Sequence, residues 1–328
     1  MRKQCLSVIV PCYNEEEVLS AFYQEICRVS EGLAGELDME FLFIDDGSKD
    51  RTLPMLKELA ASDGRVHYIS FSRNFGKEAG IYAGLKNSVG DYAVVMDADL
   101  QHPPEYLPEM YRSLASGEFD CVAMRRVDRT GEGKIRSFFS RCFYRLNRKI
   151  SGIDIVQGAT DYRMMTRQVV DAVLSMSEYN RFTKGIFAWV GFRTKWIGYH
   201  NVQRTAGTSK WSFGSLLRYS LDGITAFSTV PLAISSLLGF LFCILAFLMM
   251  IVVLVKTIVW GDPVAGYPTL ITVILLIGGL QLLMIGILGQ YFSKAYLEIK
   301  HRPIYIAKEQ RLAEPEKEKG NEASSDRE

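Results

Sequence analysis

Two aspartates offer the clearest chemistry in this chain. Asp97 and Asp99 stand two residues apart in the segment 94–104, where a run of apolar, β-branched residues meets loop-forming residues. Side chains at positions i and i+2 of a strand leave the same face, so both carboxylates can converge on one divalent cation. Such a cation would neutralise a diphosphate. An isolated Asp-x-Asp is more often a pair of solvated acids at the end of a strand, so the interpretation depends on the surrounding residues.

Two other apolar segments also end in polar clusters. Residues 41–44 lead into the run Asp45-Asp46-Gly47-Ser48, and residues 6–10 lead into the run Pro11-Cys12-Tyr13-Asn14-Glu15. In open α/β sheets, ligands bind in the crevice beyond the carboxyl ends of the strands. The sequence therefore predicts that the three clusters share one crevice, and this context favours a cation site at Asp97 and Asp99.

The first 125 residues alternate apolar strand patterns with helical patterns. Strands are expected near residues 6–11, 39–45, 66–71, 92–98 and 120–124, and helices near residues 15–30, 52–62, 77–87 and 104–115. This order predicts an α/β domain with a Rossmann-like, mostly parallel sheet that helices cover on both faces. The chain has neither a Gly-x-Gly-x-x-Gly fingerprint nor a P-loop, so phosphates must be held in another way, and a metal with arginines is the obvious substitute.

Two long apolar segments follow this domain. Residues 230–255 carry no charge, and residues 268–293 carry only Gln281 and Gln290 as strongly polar side chains. Each exceeds the roughly 20 residues that a bilayer core requires, whereas the alternative is a buried helical hairpin of a soluble protein. Basic residues flank the pair, and the connecting segment 256–267 has only Lys256. The positive-inside tendency therefore predicts two membrane spans with cytoplasmic N- and C-termini and an extracytoplasmic loop.

The remaining segments complete the predicted organisation. Residues 1–212 form the cytosolic domain, with no signal peptide before the first strand. Residues 213–229 form an interfacial helix, and residues 135–151 form a basic amphipathic helix that suits a membrane interface or, alternatively, packs on the core. Residues 294–328 form a cytosolic charged tail that is expected to be disordered after about residue 308.

Composition limits the further chemistry of the chain. The net charge of +1 combines basic segments beside the apolar runs with an acid-rich tail. The six cysteines are spread over the chain without a Cys-x-x-Cys pair, as expected for reduced thiols, and the four histidines show no metal-ligand spacing. No zinc site and no nucleic-acid partner are therefore expected.

The motifs together resemble the membrane-bound family 2 glycosyltransferases of the GT-A fold that load sugars onto polyprenyl phosphates, such as bactoprenol glucosyltransferases and dolichyl-phosphate mannose synthases. The resemblance rests on the runs Val10-Pro11-Cys12-Tyr13-Asn14-Glu15, Asp45-Asp46-Gly47-Ser48, Ser72-Arg73-Asn74-Phe75-Gly76-Lys77-Glu78, Asp97-Ala98-Asp99-Leu100-Gln101, Gly207-Thr208-Ser209-Lys210-Trp211 and Leu221-Asp222-Gly223-Ile224. With the two spans, these runs cover nearly the whole chain except the tail. One departure is Gly289-Gln290-Tyr291, where the family usually has Gly-Glu-Tyr.

The resemblance implies roles for single residues. The expected nucleotide-sugar site is lined by Pro11, Tyr13, Glu15, Asp45, Asp46, Lys77 and Asp97. Asp97 and Asp99 are expected to bind Mg²⁺ or Mn²⁺ together with the donor diphosphate, and Gln101 is expected to face the sugar or the acceptor. The cations expected to gather the acceptor and donor phosphates are Arg125 or Arg126, Arg136, Arg204 and Lys210. Which of Arg125 and Arg126 matches the family's arginine stays open.

The resemblance also implies a reaction and its place in the cell. It implies that a hexose passes from a nucleotide sugar, UDP-glucose or UDP-N-acetylglucosamine, to undecaprenyl phosphate at the cytosolic face of the plasma (inner) membrane, with inversion, for cell-envelope glycosylation. The implied partners are the nucleotide sugar, the polyprenyl phosphate lipid and the bilayer. A flippase partner, a downstream glycosyltransferase and a homo-oligomer stay open.

Two other functions compete with this one. A processive polysaccharide synthase shares the Asp-x-Asp domain, but it normally needs more membrane helices and a Gln-x-x-Arg-Trp motif. The run Gln157-Gly158-Ala159-Thr160-Asp161 does not supply that motif. The non-enzymatic alternative is a membrane scaffold that binds nucleotide sugars without turnover.

Overall fold

The computed structural model describes residues 3–127, 156, 158–199, 228–260 and 266–313. The predictions for Arg136, Arg204 and Lys210, and those for the helices at residues 135–151 and 213–229, lie outside the described residues. They therefore stay predictions.

Strands and helices alternate through the N-terminal domain, as the sequence pattern predicts. The strands are β1 (Gln4–Cys12), β2 (Leu37–Asp45), β3 (Val66–Phe71), β4 (Tyr92–Val95), β5 (Cys121–Arg126), β6 (Ala159–Thr166) and β7 (Thr194–Tyr199). The helices are α1 (Leu19–Leu33), α2 (Thr52–Ser62), α3 (Lys77–Asn87), α4 (Leu107–Ala115), α5 (Arg167–Ser175) and α6 (Thr183–Trp189), and a 3₁₀ turn at Pro104–Tyr106 precedes α4. After them come α7 (Val230–Trp260), α8 (Tyr267–Ile299) and β8 (Ala307–Arg311).

The described strands form one eight-stranded sheet in the order β7-β5-β6-β4-β1-β2-β3-β8. Pairing is parallel between β1 and β2, β1 and β4, β2 and β3, and β5 and β7. It is antiparallel where β6 lies between β4 and β5, and where β8 joins β3. The predicted α/β fold with a mostly parallel sheet is thereby confirmed. Because β1, β2 and β4 are neighbours, their carboxyl ends meet at one edge of the sheet.

The central strands are buried on both faces because helices cover both sides of the sheet. Along β1, Val8 and Val10 belong to one apolar cluster, and Ile9, between them, belongs to the other. Helix α1 covers the first face with apolar residues at helical spacing, and Phe22 of this helix meets Phe43 edge to face at 6.3 Å. The two clusters hold β1, β2 and β4 in fixed positions under the candidate site.

Helix α3 packs on the other face of the sheet through small residues. Its buried residues include Ala79, Gly80, Ala83 and Gly84. A Cβ added at Gly80 would lie 3.3 Å from the Cβ of Pro11, so the helix packs closely on the end of β1. This close approach brings the first turn of α3, which begins with Lys77, to the edge of the sheet where the polar clusters meet.

Helices α7 and α8 are the two long apolar helices that the sequence predicts. Each contains a stretch long and apolar enough to cross a membrane, Val230–Met249 in α7 and Leu276–Ile299 in α8. The helices contact each other through Gly239, where an added Cβ would lie 3.6 Å from Met284. A second link joins α8 to the residues just before α7, where the Tyr291 hydroxyl donates a hydrogen bond to the Ser228 carbonyl oxygen at 2.6 Å.

The C-terminal segment differs from the predicted charged tail. Residues 294–299 still belong to α8, which continues as far as Ile299. Disorder after residue 308 is wrong for residues 308–311, because β8 (Ala307–Arg311) pairs antiparallel with β3. Residues 314–328 lie outside the described part of the chain.

Candidate active site

The first two polar clusters are joined by direct hydrogen bonds. The Asp46 backbone N–H donates to the Cys12 carbonyl oxygen at 2.9 Å, which continues the pairing of β1 and β2 beyond their last residues. The Asn14 N–H donates to Ser48 Oγ at 3.0 Å, and the Lys49 N–H donates to Asn14 Oδ1 at 2.9 Å. The structure therefore brings the run that begins at Pro11 against the run that begins at Asp45, as the sequence predicts.

The carboxylates of Asp45 and Asp46 are buried and bind neighbouring loops. Asp45 Oδ2 accepts the Ser70 hydroxyl at 2.6 Å, and Asp45 Oδ1 accepts the Ser48 N–H at 3.0 Å. Asp46 accepts the backbone N–H groups of Phe75 at 2.6 Å and Gly76 at 2.9 Å. Burial raises the pKa of Asp46, and these two N–H donors work against that rise. In this geometry both side chains shape the loops that enclose the crevice.

Gly47 is required by the same turn. Its φ of +68° lies in the left-handed region, and an added Cβ would lie 2.5 Å from the backbone carbon of Arg73. Only glycine allows the loop after β2 to approach the loop after β3 this closely. The Asp-Asp-Gly-Ser run thus combines two buried acceptors with a turn that no other residue fits.

Pro11, Tyr13 and Glu15 lie at the carboxyl end of β1. Pro11 is still within β1, and the Glu15 carbonyl oxygen accepts the Leu19 N–H at 3.0 Å, which starts α1. The Glu15 N–H donates to Thr52 Oγ1 at 2.9 Å. Tyr13 and Glu15 are half-buried, so they lie between the core and the surface of the crevice. Their expected contact with a nucleotide stays a prediction.

Asp97 and Asp99 lie beyond the end of β4. The strand ends at Val95, so the prediction that it continues to residue 98 is wrong, and the two aspartates occupy the turn after the strand. Asp97 Oδ1 lies 2.6 Å from Lys77 Nζ. Asp99 Oδ1 accepts the Gln101 N–H at 3.1 Å, which closes the turn. The same turn contains Leu100, which takes a left-handed φ of 58°.

His102 holds the backbone of this turn. Its Nδ1 accepts the Asp97 N–H at 3.0 Å, and its ring stacks on Tyr162 at 5.1 Å. The imidazole is buried, and burial lowers its pKa, so the neutral form prevails at neutral pH. A neutral ring with Nδ1 as acceptor places the proton on Nε2.

Asp161 joins the site although the sequence interpretation gave it no role. It lies on β6, and its Oδ2 is 2.8 Å from Lys77 Nζ, while its Oδ1 is 3.9 Å from Lys184 Nζ. Lys77 therefore bridges the carboxylates of Asp97 and Asp161. The signal that could have found Asp161 is that it is the only acid of the segment 159–166 and lies three residues after a glycine.

Charge and burial oppose each other in this cluster. For Lys77, burial lowers the pKa, but the carboxylates of Asp161 and Asp97 raise it more, so the net shift is upward. For both aspartates, burial raises the pKa, but Lys77 and the other groups that favour the charged form, Lys184 among them for Asp161, together lower it more, so the net shift is downward. The Lys77 side chain is still 43% exposed, so water screens part of the attraction. All three groups are charged at neutral pH.

Gln101 lies next to Arg126 and not next to Arg125. Arg126 Nη2 donates to Gln101 Oε1 at 3.3 Å, and Arg126 Nε donates to the Tyr199 hydroxyl at 3.3 Å. Arg125 is exposed. Successive side chains of a strand leave opposite faces, so only one of two adjacent arginines can face the crevice. Of the two residues left open by the sequence, the structure brings Arg126 to the candidate site.

The donor set fits a hard divalent cation. Asp97 and Asp99 offer carboxylate oxygens, which Mg²⁺ and Mn²⁺ prefer, and Mg²⁺ commonly takes one or two carboxylates and completes its shell with substrate phosphates and water. Within the described residues, no group of three or more His, Cys, Asp or Glu side chains could hold a metal alone. A metal bound by Asp97 and Asp99 would therefore take further ligands from a bound diphosphate.

Comparisons with known proteins place these features in a wider group. A family model described as glycosyl transferase family 2 matches residues 7–174. The protein CsbB of Bacillus subtilis is 41% identical over 325 residues, which cover 99% of this chain and 98% of that protein. The bactoprenol glucosyl transferase of Shigella phage SfV is 40% identical over 306 residues, which cover 93% of this chain and 99% of that protein.

A solved structure also matches the chain. It is glucosyl-3-phosphoglycerate synthase from Mycobacterium tuberculosis in complex with Mn²⁺, UDP-glucose and phosphoglyceric acid, at 20% identity and a TM-score of 0.46. The match covers 68% of this chain and 78% of the solved one.

Proposed function

Because the chain belongs to glycosyl transferase family 2, we propose that it transfers a hexose from a nucleotide sugar to the phosphate of a polyprenyl lipid. The observation that carries the proposal is one cluster of charge, in which Lys77 bridges Asp97 and Asp161 at the edge of the sheet where β1, β2 and β4 end. The same chain carries two apolar helices of membrane-spanning length. A relative that matches 93% of this chain is named a bactoprenol glucosyl transferase, and we take bactoprenol, a polyprenyl lipid, as the model for the acceptor.

The acceptor chemistry agrees with the pKa shifts in the site. A phosphate monoester loses its second proton near pH ~6, so it is a ready nucleophile at neutral pH and needs no strong base. Asp97 and Asp161 both have lowered pKa values because Lys77 lies between them, which makes them weak bases. The described crevice thus suits a nucleophile that is already an anion better than a hydroxyl that must be deprotonated.

The protein's main task is then to bring two anions together. Lys77 offers an ammonium group beside Asp97, and Arg126 offers a guanidinium group beside Gln101. We assign Lys77 to the donor diphosphate and Arg126 to the acceptor phosphate or the sugar, together with Arg136, Arg204 and Lys210 from outside the described residues. When Mg²⁺ or Mn²⁺ is bound by Asp97 and Asp99, it supplies charge stabilisation to the departing nucleoside diphosphate.

The stereochemistry follows from a single displacement. A phosphate that attacks the anomeric carbon from the side opposite the diphosphate inverts the configuration at that carbon. A product with retained configuration in an NMR spectrum of its anomeric proton would contradict this part of the proposal.

The membrane helices fit a lipid acceptor. Removing a polyprenyl chain from the bilayer costs about 0.8 kcal/mol for each methylene, so the enzyme must meet the phosphate at the membrane surface. We propose that α7 and α8 are two spans in the plasma (inner) membrane, with both termini and the catalytic domain on the cytosolic side. The product would be a lipid-linked sugar monophosphate for cell-envelope glycosylation, which a flippase and a second glycosyltransferase would then use.

The donor is proposed to be UDP-glucose or UDP-N-acetylglucosamine. The name of the phage relative supports glucose, since it is called a glucosyl transferase. Incubating the purified protein with radiolabelled UDP-glucose, UDP-N-acetylglucosamine, UDP-galactose or GDP-mannose, each with undecaprenyl phosphate, would identify the donor. A product from GDP-mannose alone would refute the UDP assignment.

The central experiment compares the wild type with Asp99→Ala and with Asp171→Ala, an exposed acid of α5 that serves as the control. Radiolabelled donor, undecaprenyl phosphate in vesicles and either Mn²⁺ or chelator are supplied to each protein. We expect an organic-soluble, acid-labile product from the wild type and the control with metal, and a loss of at least about 100-fold for Asp99→Ala. A polymer would indicate a processive synthase, binding without product would indicate a scaffold, and full activity of Asp99→Ala in chelator would refute the site.

A further inference from the structure

The last turn of α8 is attached to the catalytic domain through Glu298. Its carboxylate accepts the Tyr179 N–H, with both oxygens at 3.0 Å from the nitrogen. Oε1 also accepts the Asn180 N–H at 3.1 Å and the Asn180 side-chain amide at 3.4 Å. The segment 176–182 between α5 and α6 is therefore bound to the end of a helix of membrane-spanning length.

The position of Glu298 is unfavourable for α8 itself. The carboxyl end of a helix carries partial negative charge, so a carboxylate in the last turn destabilises the helix slightly. The last turn of α8 contains no basic residue, and Lys300 follows only at the C-cap. Hydrogen bonds from N–H groups to a charged acceptor are stronger than neutral ones, so the contact with Tyr179 and Asn180 offsets this cost. Glu298 therefore serves to bind segment 176–182 to the end of α8, and it does not stabilise the helix itself.

The chain beyond α8 binds the same domain through a second set of contacts. The Ser72 N–H donates to the Ile306 carbonyl oxygen at 2.9 Å, and Tyr305 stacks on Phe71 with ring centroids 4.9 Å apart. Strand β8 then pairs with β3 through its backbone, whereas the ion pair of Glu309 on β8 with Lys57 on α2, at 2.6 Å, is partly exposed and adds little. Two separate attachments thus fix the catalytic domain to the end of α8.

The first attachment leads directly into the candidate active site. Thr183, three residues after Asn180, donates its N–H to Glu78 Oε2 at 2.9 Å, and Glu78 follows Lys77 in the chain. Lys184 lies 3.9 Å from Asp161. The segment that Glu298 holds is therefore continuous with the residues that position the acidic cluster.

We propose that Glu298 is a positioning residue that sets the distance between the active site and the membrane surface. By holding segment 176–182 on the end of α8, it keeps Lys77 and Asp97 at the height where the phosphate of a bilayer-embedded polyprenyl lipid lies. The inference rests on the proposed function, because it assumes an acceptor that cannot leave the bilayer.

The test compares two acceptors that differ only in membrane anchoring. Protein reconstituted in phosphatidylglycerol and phosphatidylethanolamine vesicles receives the donor with either undecaprenyl phosphate or geranyl phosphate, which is short enough to approach from water. For Glu298→Ala we expect kcat/KM to fall about 10- to 100-fold with undecaprenyl phosphate and to change less than about twofold with geranyl phosphate. Glu298→Gln keeps an amide oxygen as acceptor, so it should recover part of the loss.

Glu309→Ala is the matched control, since it removes a carboxylate from the same C-terminal segment and breaks only a partly exposed ion pair. It should stay within about twofold of the wild type with both acceptors. An equal loss with both acceptors, or no loss with either, would overturn the proposal for Glu298. If Glu298→Ala does not fold, the ratio of the two activities in Glu298→Gln decides by the same criterion. A wild type that uses neither acceptor would refute the proposed function itself, and the inference with it.

Discussion

Replacing Lys77 by methionine tests whether its ammonium group holds the acidic cluster together. Methionine keeps the approximate length of the side chain but removes its charge, so Asp97 and Asp161 lose the cation that lies 2.6 and 2.8 Å from them. A hydrogen bond to a charged group contributes about 1.5–3 kcal/mol, and the 43% exposure of the Lys77 side chain calls for the low end of that range. We expect the free energy of unfolding to fall by about 1.5–2 kcal/mol.

The assay is thermal unfolding of the detergent-solubilised protein in chelator. For a domain of this size, 1 kcal/mol corresponds to about 2–4 °C, so Tm should fall by about 3–8 °C. Lys86→Met, an exposed residue of the same helix α3, is the control and should change Tm by less than about 2 °C. Millimolar Mn²⁺ should stabilise Lys77→Met more than the wild type, because the metal then meets no competing ammonium group.

The pH dependence of this variant has a definite sign. In the wild type, the lowered pKa values of Asp97 and Asp161 contribute stability above the unfolded pKa near ~4, and this contribution is lost as the pH falls through the lower folded values. Without Lys77 the two carboxylates repel each other, so the folded state takes up a proton more readily than the unfolded chain. Lowering the pH from 7 to 5 should therefore narrow the difference between variant and wild type. A variant as stable as the wild type in chelator, or one that Mn²⁺ stabilises no more than the wild type, would refute this reasoning.

Three further predictions concern other parts of the domain. Arg126→Gln should lower kcat/KM for sugar transfer about 10- to 100-fold, because Arg126 contacts Gln101. Arg125→Gln, which changes the neighbouring exposed arginine, should lower it less than about threefold. Equal losses in the steady-state rates of the two variants would contradict the assignment of Arg126. Asp63→Asn should lower the free energy of unfolding by about 1–2 kcal/mol at pH 7, because hydrogen bonds from Arg65 lower the pKa of Asp63 to about 2. The stability that the Asp63 carboxylate contributes is present above pH ~4 and is lost as the pH falls toward 2. Urea unfolding should therefore show a smaller difference in stability between Asp63→Asn and the wild type at pH 3 than at pH 7. The same difference at both pH values would argue against the lowered pKa of Asp63 as its cause. Gly47→Ala should cost at least about 2 kcal/mol, because the residue has a positive φ and no room for a Cβ; denaturation midpoints that match the wild type would disprove it.

Much of the domain could be predicted from local patterns. The predicted bounds of β3, α2 and α3 agree with the structure, because each segment has the period and the flanking residues of its element. The polar runs after β1, β2 and β4 also lie together as expected, since parallel neighbours must end at one edge. The two long helices follow from length and hydropathy alone.

Other features depended on contacts between distant parts of the chain. Strand β8 has the polar sequence Ala-Lys-Glu-Gln-Arg, which by itself is typical of a disordered tail. It forms a strand because β3 has an unpaired edge near the end of α8, and β8 pairs with that edge. The choice between Arg125 and Arg126 depended on which face of β5 turns toward Gln101. Neither outcome has a local signal, because edge pairing and strand facing are set by what lies beside the segment.

The amino-acid sequence by itself determined the alternation of strands and helices, the edge of the sheet where the polar runs lie, and the two apolar helices. The reason is that the periodicity and composition of a short segment show which of its side chains are buried and which are exposed to water. Only the tertiary structure placed Asp161 and Asp97 on the same ammonium group of Lys77, and only it attached Glu298 to the segment before α6. The physical reason is that the attraction between two charges depends on the distance between them in space, and that distance is set where α3 packs on the sheet that contains β6.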